Sequence, residues 1–234
     1  MNLIENVMTK ILCLIPARKG SKGIKDKNIK KIKGRSLLEI TCKTALNSKL
    51  FEDIVLSTDS RKYLNSVKEY LSEQKSLRPK YLSGSNITDF QLIKYSWETY
   101  SKILGKQYDY ICLLQPTCPL RKVSHLKKAV SKIKRYKFDA LWTINSIDKK
   151  FNPIKQLLVT GNYLSYYDIK GKDFVNRQSL EQTFIRNGCA YLFSRDTIFK
   201  NKTILPKNSG YLEIRDKLIN IDNLEDLRSA RKYF

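Results

Sequence analysis

The 234-residue chain carries 45 Lys and Arg against 22 Asp and Glu, a formal net charge of +23, with 41% hydrophobic and 29% charged residues and only nine Gly and six Pro. This composition excludes a disordered or fibrous chain. No apolar run is long enough to cross a bilayer, and the first ten residues lack the charged-then-apolar order of a secretion signal, so a cytoplasmic protein is expected. The length allows one substantial core, hence one domain over 1–234 with a small accessory unit. So large a positive charge favours polyanions, nucleic acid or phosphorylated small molecules alike, and a merely solvated basic surface would give the same balance.

The first element is the apolar run Ile11 to Ile15, with the length and β-branching of a strand buried on both faces. It breaks at Pro16 into a loop in which nine of the eighteen residues from Arg18 to Arg35 are Lys or Arg, while Gly20 and Gly23 permit close approach of backbone. A buried strand delivering such a loop suits a polyanion, most simply a nucleoside triphosphate. Ser36 to Glu39 has capping-box spacing and opens a helix to about Asn47. Asp53 to Thr58 is a second buried strand, and Tyr63, Leu64, Val67, Tyr70 and Leu71 recur at helical spacing.

Thr88-Asp89 begins a helix whose apolar face is Phe90, Ile93, Trp97, Tyr100 and Leu104. A strand over 110–114 runs into Gln115-Pro-Thr-Cys-Pro-Leu-Arg121, followed by a helix from Ser124 to about Tyr136 and a strand from Asp139 to Ile144. Ile154–Val159 and Tyr163–Tyr167 are short strands joined at Gly161-Asn162, a hairpin excursion placed within 151–180. Asn187 to Phe193 is again a buried strand, with a short helix from Arg195. Lys217 to Ile221 is a last strand, and Asn223 caps a helix with Leu224, Leu227 and Ala230 facing inward. The alternation predicts an α/β, Rossmann-like fold: a mostly parallel sheet with helices on both faces, a small β-hairpin excursion, and ligands held at the carboxyl ends of the strands.

Generic motifs exclude several chemistries. The segment Gly20-Ser-Lys-Gly23 has neither P-loop nor G-x-G-x-x-G spacing. His125 is the only histidine, so a Ser-His-Asp or Cys-His set could rest on it alone and hydrolysis by a triad is not expected; there is no second imidazole for a shared metal, and a surface or capping role is expected for it. Cys13, Cys42, Cys112, Cys118 and Cys189 are scattered, odd in number and never spaced C-x-x-C, the pattern of reduced, buried thiols.

Ile15-Pro-Ala-Arg-Lys-Gly-Ser-Lys-Gly-Ile-Lys-Asp-Lys-Asn28 is similar to the I-P-A-R-x-G-S-K-G-I-P-x-K-N signature of acylneuraminate cytidylyltransferases, the CMP-sialic acid synthetases. Ser57-Thr-Asp59, Leu114 to Arg121, Arg177-Gln178, Asn187-Gly188 and Ile221-Asp222 to Leu227 resemble further elements of that family, in its order and over nearly the whole chain. The resemblance implies a nucleotide-diphospho-sugar-transferase-like enzyme joining CTP to a nine-carbon ulosonic acid of the sialic, legionaminic or pseudaminic type, with Mg²⁺, to give CMP-sugar and pyrophosphate. It implies catalytic cations at Arg18, Lys22 and Lys27, and nucleotide contacts from Ala17, Arg18, Ser21, Gly23, Asn28, Arg78 and Ser83. Gln115, Arg177, Gln178 and Asn187 would face the sugar acid, and Asp222 would hold the metal.

The implied partners are CTP, an acidic sugar and a second copy of the chain, the hairpin making the dimer interface. A membrane partner is not expected, nor is nucleic acid. Lys30, Lys31 and Lys33 are read as solvated surface. The chain departs from the family pattern at Lys19, Lys25, Ser85, Glu181 and Asn220, the last standing where a second metal carboxylate is common. The alternatives are the same chemistry on the eight-carbon acid Kdo, and a polyanion-binding protein of this fold without catalysis.

Overall fold

A computed structural model describes residues 9–20, 23–72, 76–173 and 176–234. The chain divides into two compact units, one comprising the residues up to Thr143 together with Asn187–Phe234, the other Ile144–Arg186.

In the larger unit β1 (Ile11–Pro16) has all five of its leading apolar residues buried, as a central strand covered on both faces requires. A two-stranded antiparallel ribbon, β2 (Lys31–Ile32) and β3 (Arg35–Ser36), leads into α1 (Leu37–Ser48). Ser36 caps that helix by accepting from the Glu39 N–H at 3.0 Å. β4 (Asp53–Ser57) lies parallel to β1, with Ile15 opposite Leu56.

The helical spacing from Tyr63 to Leu71 is realised only in part. α2 (Arg61–Asn65) is short, and a separate 3-10 turn spans Lys68–Tyr70. The reason is local: Ser66 turns its hydroxyl onto Tyr63 O at 2.7 Å, competing with the helix ladder, and Ser72 N is drawn to Ile54 O at 2.9 Å on β4. Tyr63, Leu64 and Val67 are nevertheless buried, so the apolar spacing reads the core face correctly.

α3 (Asp89–Leu104) starts with a Thr88–Gln91 capping box and ends at Gly105. β5 (Tyr110–Leu113) pairs parallel with β1 on the side opposite β4. α4 (Val123–Tyr136) follows, then β6 (Ala140–Ser146).

The smaller unit holds a hairpin of β7 (Leu157–Thr160) and β8 (Tyr163–Tyr166), with Gly161 at a φ of 60° in the turn. The first strand begins three residues later than the sequence predicts because Pro153–Lys155 forms a 3-10 turn capped by Asn152. All eight hairpin strand residues are exposed. Elsewhere in this unit Gln182 Nε2 donates to Ile147 O at 2.7 Å, and Asn152 Nδ2 to Glu181 O at 3.0 Å.

β9 (Phe184–Ser194) pairs antiparallel with β5. α5 (Arg195–Phe199), β10 (Ser209–Glu213) and α6 (Leu224–Arg231) complete the chain. The six-stranded sheet has the order β10-β6-β9-β5-β1-β4. Its core joins Ile11, Cys13 and Ile15 to Leu38 and Cys42 of α1 and to Leu126 and Ile133 of α4. All five cysteines are free and buried. No described helix is long and apolar enough to cross a membrane.

Three expectations need correction. No strand forms over 217–221; the edge strand lies earlier, at Ser209–Glu213, where Gly210 lets the Phe138 ring pack directly on the backbone. The 217–221 stretch is stitched to the β5–α4 connection by Ile221 N donating to Thr117 O at 2.8 Å rather than by a ladder. Leu224 is exposed, because as the first residue after the Asn223 cap it points away from the face carried by Leu227 and Ala230. For His125 only the surface alternative fails, since the residue is buried; the capping role holds, its Nδ1 accepting from Lys122 N at 3.3 Å at the start of α4, while its Nε2 lies 3.1 Å from the Asp216 carboxylate.

Candidate active site

Because β1, β4 and β5 run parallel, their carboxyl ends deliver three connections to one side of the sheet, where a cavity of about 590 Å³ opens. The β1 connection contributes Arg18, Gly23, Lys27 and Asn28 to its wall, and the β5 connection Gln115, Pro116 and Thr117. Arg78, Gly84 and Ser85 come from the segment before α3, and Asp222 from the approach to α6.

The β1 connection is held by polar ties that the sequence elements beside it provide. Ala17 N donates to Ser57 O at 2.9 Å, and Lys19 N to the Asp59 carboxylate at 2.7 Å. Asn28 is buried and its Nδ2 donates to Arg18 O at 3.2 Å. Asp26, at a positive φ of 54°, accepts from the Tyr63 hydroxyl at 2.8 Å. Lys27 Nζ donates to Ile221 O at 2.7 Å and to Asp222 Oδ1 at 2.9 Å. Gly23 is packed so closely on Asp222 O that a Cβ would collide with it. Ser57-Thr-Asp59 therefore acts as a clamp, since Thr58 O also accepts from Arg78 N at 2.7 Å.

Arg78 is the unusual charge. It is 7% exposed, and its Nε and Nη2 have no hydrogen-bond partner among the described residues. Burial pushes its guanidinium below the ordinary value; Asp59 opposes that shift, and the like charge of Arg18 adds to it. A buried guanidinium with unmet N–H groups in a cavity wall beside another Arg is a strong attractor for an anion.

Beside Gln115 of the cavity wall, Gly188 sits at a φ of 67°, and a Cβ there would stand 2.7 Å from Gln115 Oε1 and 2.8 Å from Asn220 Oδ1. The missing side chain lets those two amides converge. Asn187 is buried; its Oδ1 accepts from Thr143 Oγ1 at 2.6 Å and from Cys189 N at 3.1 Å, while its Nδ2 has no partner among the described residues. Arg121, buried behind them, donates to Cys189 O, to Gly188 O at 2.9 Å and to Gln115 O at 2.6 Å.

Of the residues singled out from sequence, Arg18, Gly23, Lys27, Asn28, Arg78, Gln115 and Asp222 line this one cavity. Ala17 is buried beneath it, and Asn187 is buried outside its lining. Ser83 does not line it, because its hydroxyl turns back onto Pro79 O at 3.1 Å; Gly84 and Ser85 do. Ser21 and Lys22 lie outside the described residues. Arg177 and Gln178 form a 3-10 turn in the smaller unit, where Gln178 N donates to Asn176 Oδ1 at 3.0 Å. Lys30, Lys31 and Lys33 are exposed.

A model of the cytidylyltransferase family matches residues 12–226. The chain belongs to that family. The N-acylneuraminate cytidylyltransferase of Escherichia coli is 29% identical over 226 residues, covering 95% of this chain and 51% of that protein, so the chain spans about half the length of that relative. A pseudaminic acid cytidylyltransferase of Campylobacter jejuni is 29% identical over 95% of both chains, and a CMP-N,N'-diacetyllegionaminic acid synthase from the same species is 30% identical over 87% of this chain and 85% of that one. The fold is also that of a CMP:2-keto-3-deoxy-manno-octonic acid synthetase complexed with CTP, with a TM-score of 0.70 at 14% identity over 96% of this chain and 98% of that one.

In this member of the cytidylyltransferase family the cavity also has lining to which the sequence alone assigned no site role: Leu82, Ser85, Ile87, Asp89, Leu92 and Thr117. Thr117 lay inside a motif already recognised, so it was within reach. Asp89 opens α3 and signals only a helix start from sequence, its cavity-facing place being set by the preceding turn.

Proposed function

We propose that this chain is a CMP-ulosonic acid synthetase: it transfers the cytidylyl group of CTP to a hydroxyl of a nine-carbon acidic sugar and releases pyrophosphate. The observation that carries this reading is the cation set of the cavity, in which Arg18, Lys27 and the unpaired, buried Arg78 meet at the carboxyl ends of parallel strands. Membership of the cytidylyltransferase family and the nine-carbon acids named for the similar enzymes support the choice of nucleotide and sugar.

In this reading the sugar oxygen attacks the α-phosphorus, the bond to the bridging oxygen breaks, and the electron pair leaves with pyrophosphate. Arg18, Lys22 and Lys27 stabilise the charge that collects on the phosphates, and Arg78 neutralises it from the wall. Ala17, Ser21, Gly23, Asn28 and the Ser83–Ser85 turn shape the nucleotide side. Gln115, Asn187, Arg177 and Gln178 take the sugar acid, a guanidinium being suited to its carboxylate.

Asp222 is a Mg²⁺ ligand of the fitting type: an exposed carboxylate on a cavity meant for phosphates. Mg²⁺ takes few protein oxygens and completes its shell with phosphate and water. When bound it would offset charge on the triphosphate, while Lys27 keeps Asp222 oriented. A homodimer formed through the exposed apolar hairpin and a cytoplasmic location belong to the same proposal.

The test is pyrophosphate release from CTP with N-acetylneuraminic, pseudaminic and legionaminic acids, with and without Mg²⁺. Release with at least one acid is the expected result. No release with any of them overturns the proposal.

A further inference from the structure

A second cavity, of about 500 Å³, lies between the β2–β3 ribbon, α1, the start of α4 and the residues after α6. Four cations line it, Lys33, Arg35, Lys43 and Arg121, and no acidic side chain does. None of the four has a carboxylate within ion-pair distance among the described residues. The rest of the lining is largely apolar and includes Ile32, Ile40, Pro119, Val123 and Phe234.

Arg121 makes this more than a basic surface. It is 5% exposed, and its partners are neutral: the carbonyls of Cys189, Gln115 and Gly188 and, at a long 3.4 Å from Nη1, the Thr41 hydroxyl. A buried guanidinium bonded only to neutral oxygens has no counter-ion, a costly arrangement that an incoming anion relieves. Lys43 on α1 is half-buried in the same wall, with Lys33 and Arg35 exposed on the ribbon. The size is that of a small-molecule site with an apolar lining and a few convergent polar groups.

We propose that this second cavity binds an amphipathic anion, a small molecule with one phosphate or carboxylate head and an apolar body of about eight carbons. The head pairs with Arg121 and Lys43, and the body rests on Ile32, Ile40 and Val123. The site shares no lining residue with the first cavity, so its occupancy is independent of the cytidylyl-transfer reading.

Calorimetric titration with octyl phosphate in the presence of saturating CTP tests it, CTP being present to occupy the first cavity. The expected result is one site, at least tenfold weaker for inorganic phosphate and for octanol. Lys43→Glu and Arg35→Glu should each weaken octyl phosphate at least tenfold, while Lys94→Glu, which changes the net charge equally at an exposed residue of α3 that lines neither cavity, should leave it unchanged. Absence of binding, equal affinity in all variants, or equal weakening by Lys94→Glu overturns the proposal. The variant comparison stands even if CTP does not bind, so failure of the first reading is separately visible.

Discussion

The Lys27 ammonium lies 2.9 Å from Asp222 Oδ1, joining residues 195 positions apart and fastening the loop after β1 to the approach to the last helix. Both groups line the cavity, yet Lys27 is largely covered whereas Asp222 is 80% exposed. Solvent screens such a pair, so its contribution to stability is small and its value lies in placing charge. Lys27→Ala is expected to lower kcat/KM about 100- to 1,000-fold, the cost of removing one donor aimed at developing charge. Its melting temperature should stay close to that of the parent, and calorimetry alongside steady-state kinetics checks both halves.

Arg78 invites the opposite combination. Its two unpaired nitrogens are unfavourable until an anion arrives. Arg78→Met should therefore leave the ligand-free protein as stable as the parent or more so, while shrinking the thermal shift produced by CTP. Charged hydrogen bonds contribute about 1.5–3 kcal/mol, so CTP affinity should fall roughly 10- to 150-fold. A variant that loses stability without ligand and keeps its CTP shift would contradict this account.

Tyr63 touches no cavity lining through its hydroxyl, but that hydroxyl is donated to Asp26, whose left-handed backbone begins the turn carrying Lys27 and Asn28. Tyr63→Phe removes one hydrogen bond, worth about 1 kcal/mol. The expected outcome is a several-fold loss of kcat with KM for the sugar acid unchanged. A loss confined to stability would assign Tyr63 to the core alone.

At Gly188 the backbone has a φ of 67°, and the Gln115 and Asn220 side chains occupy the space of a Cβ. Gly188→Ala is expected to cost about 1–2 kcal/mol in backbone strain alone. Displacement of the two amides should raise KM for the sugar acid more than KM for CTP.

His125 supplies a pH signature. Burial lowers its pKa from the ordinary 6.5, outweighing the Asp216 carboxylate that favours the charged form. The unfolded chain therefore binds a proton that the folded chain resists, so this group is neutral to stability above pH 6.5 and destabilises increasingly as pH falls below it, down to the folded pKa. Unfolding followed between pH 7 and 5 should show a shallower decline for His125→Gln than for the parent.

Much of this architecture was legible because local signals agreed with one another. Ser36 and Thr88 mark helix starts by capping chemistry, and the all-apolar run of β1 reads as a strand covered on both faces. The β10 edge was missed because its position depends on the ring of Phe138 against Gly210, a contact no window of sequence contains. The short α2 was missed because a serine hydroxyl competes for the backbone. In the cavity, the clustering of the first-loop cations was readable from sequence, whereas the burial of Arg78 and the Lys27–Asp222 pair are long-range facts. Arg121 belonged to a recognised motif, but its partners are main-chain carbonyls, which leave no trace in residue identity.

The five thiols inside the larger unit give the molecule a reporter of its own. Each is buried and free, and burial raises the pKa of Cys13, Cys42 and Cys112, the last to about 12. At these three positions a thiolate-seeking reagent finds nothing to attack while the sheet is closed, and its rate of modification there counts openings of β1, α1 and β5. Peptide mapping after timed alkylation would give an opening frequency for each of those elements, without labels or added probes.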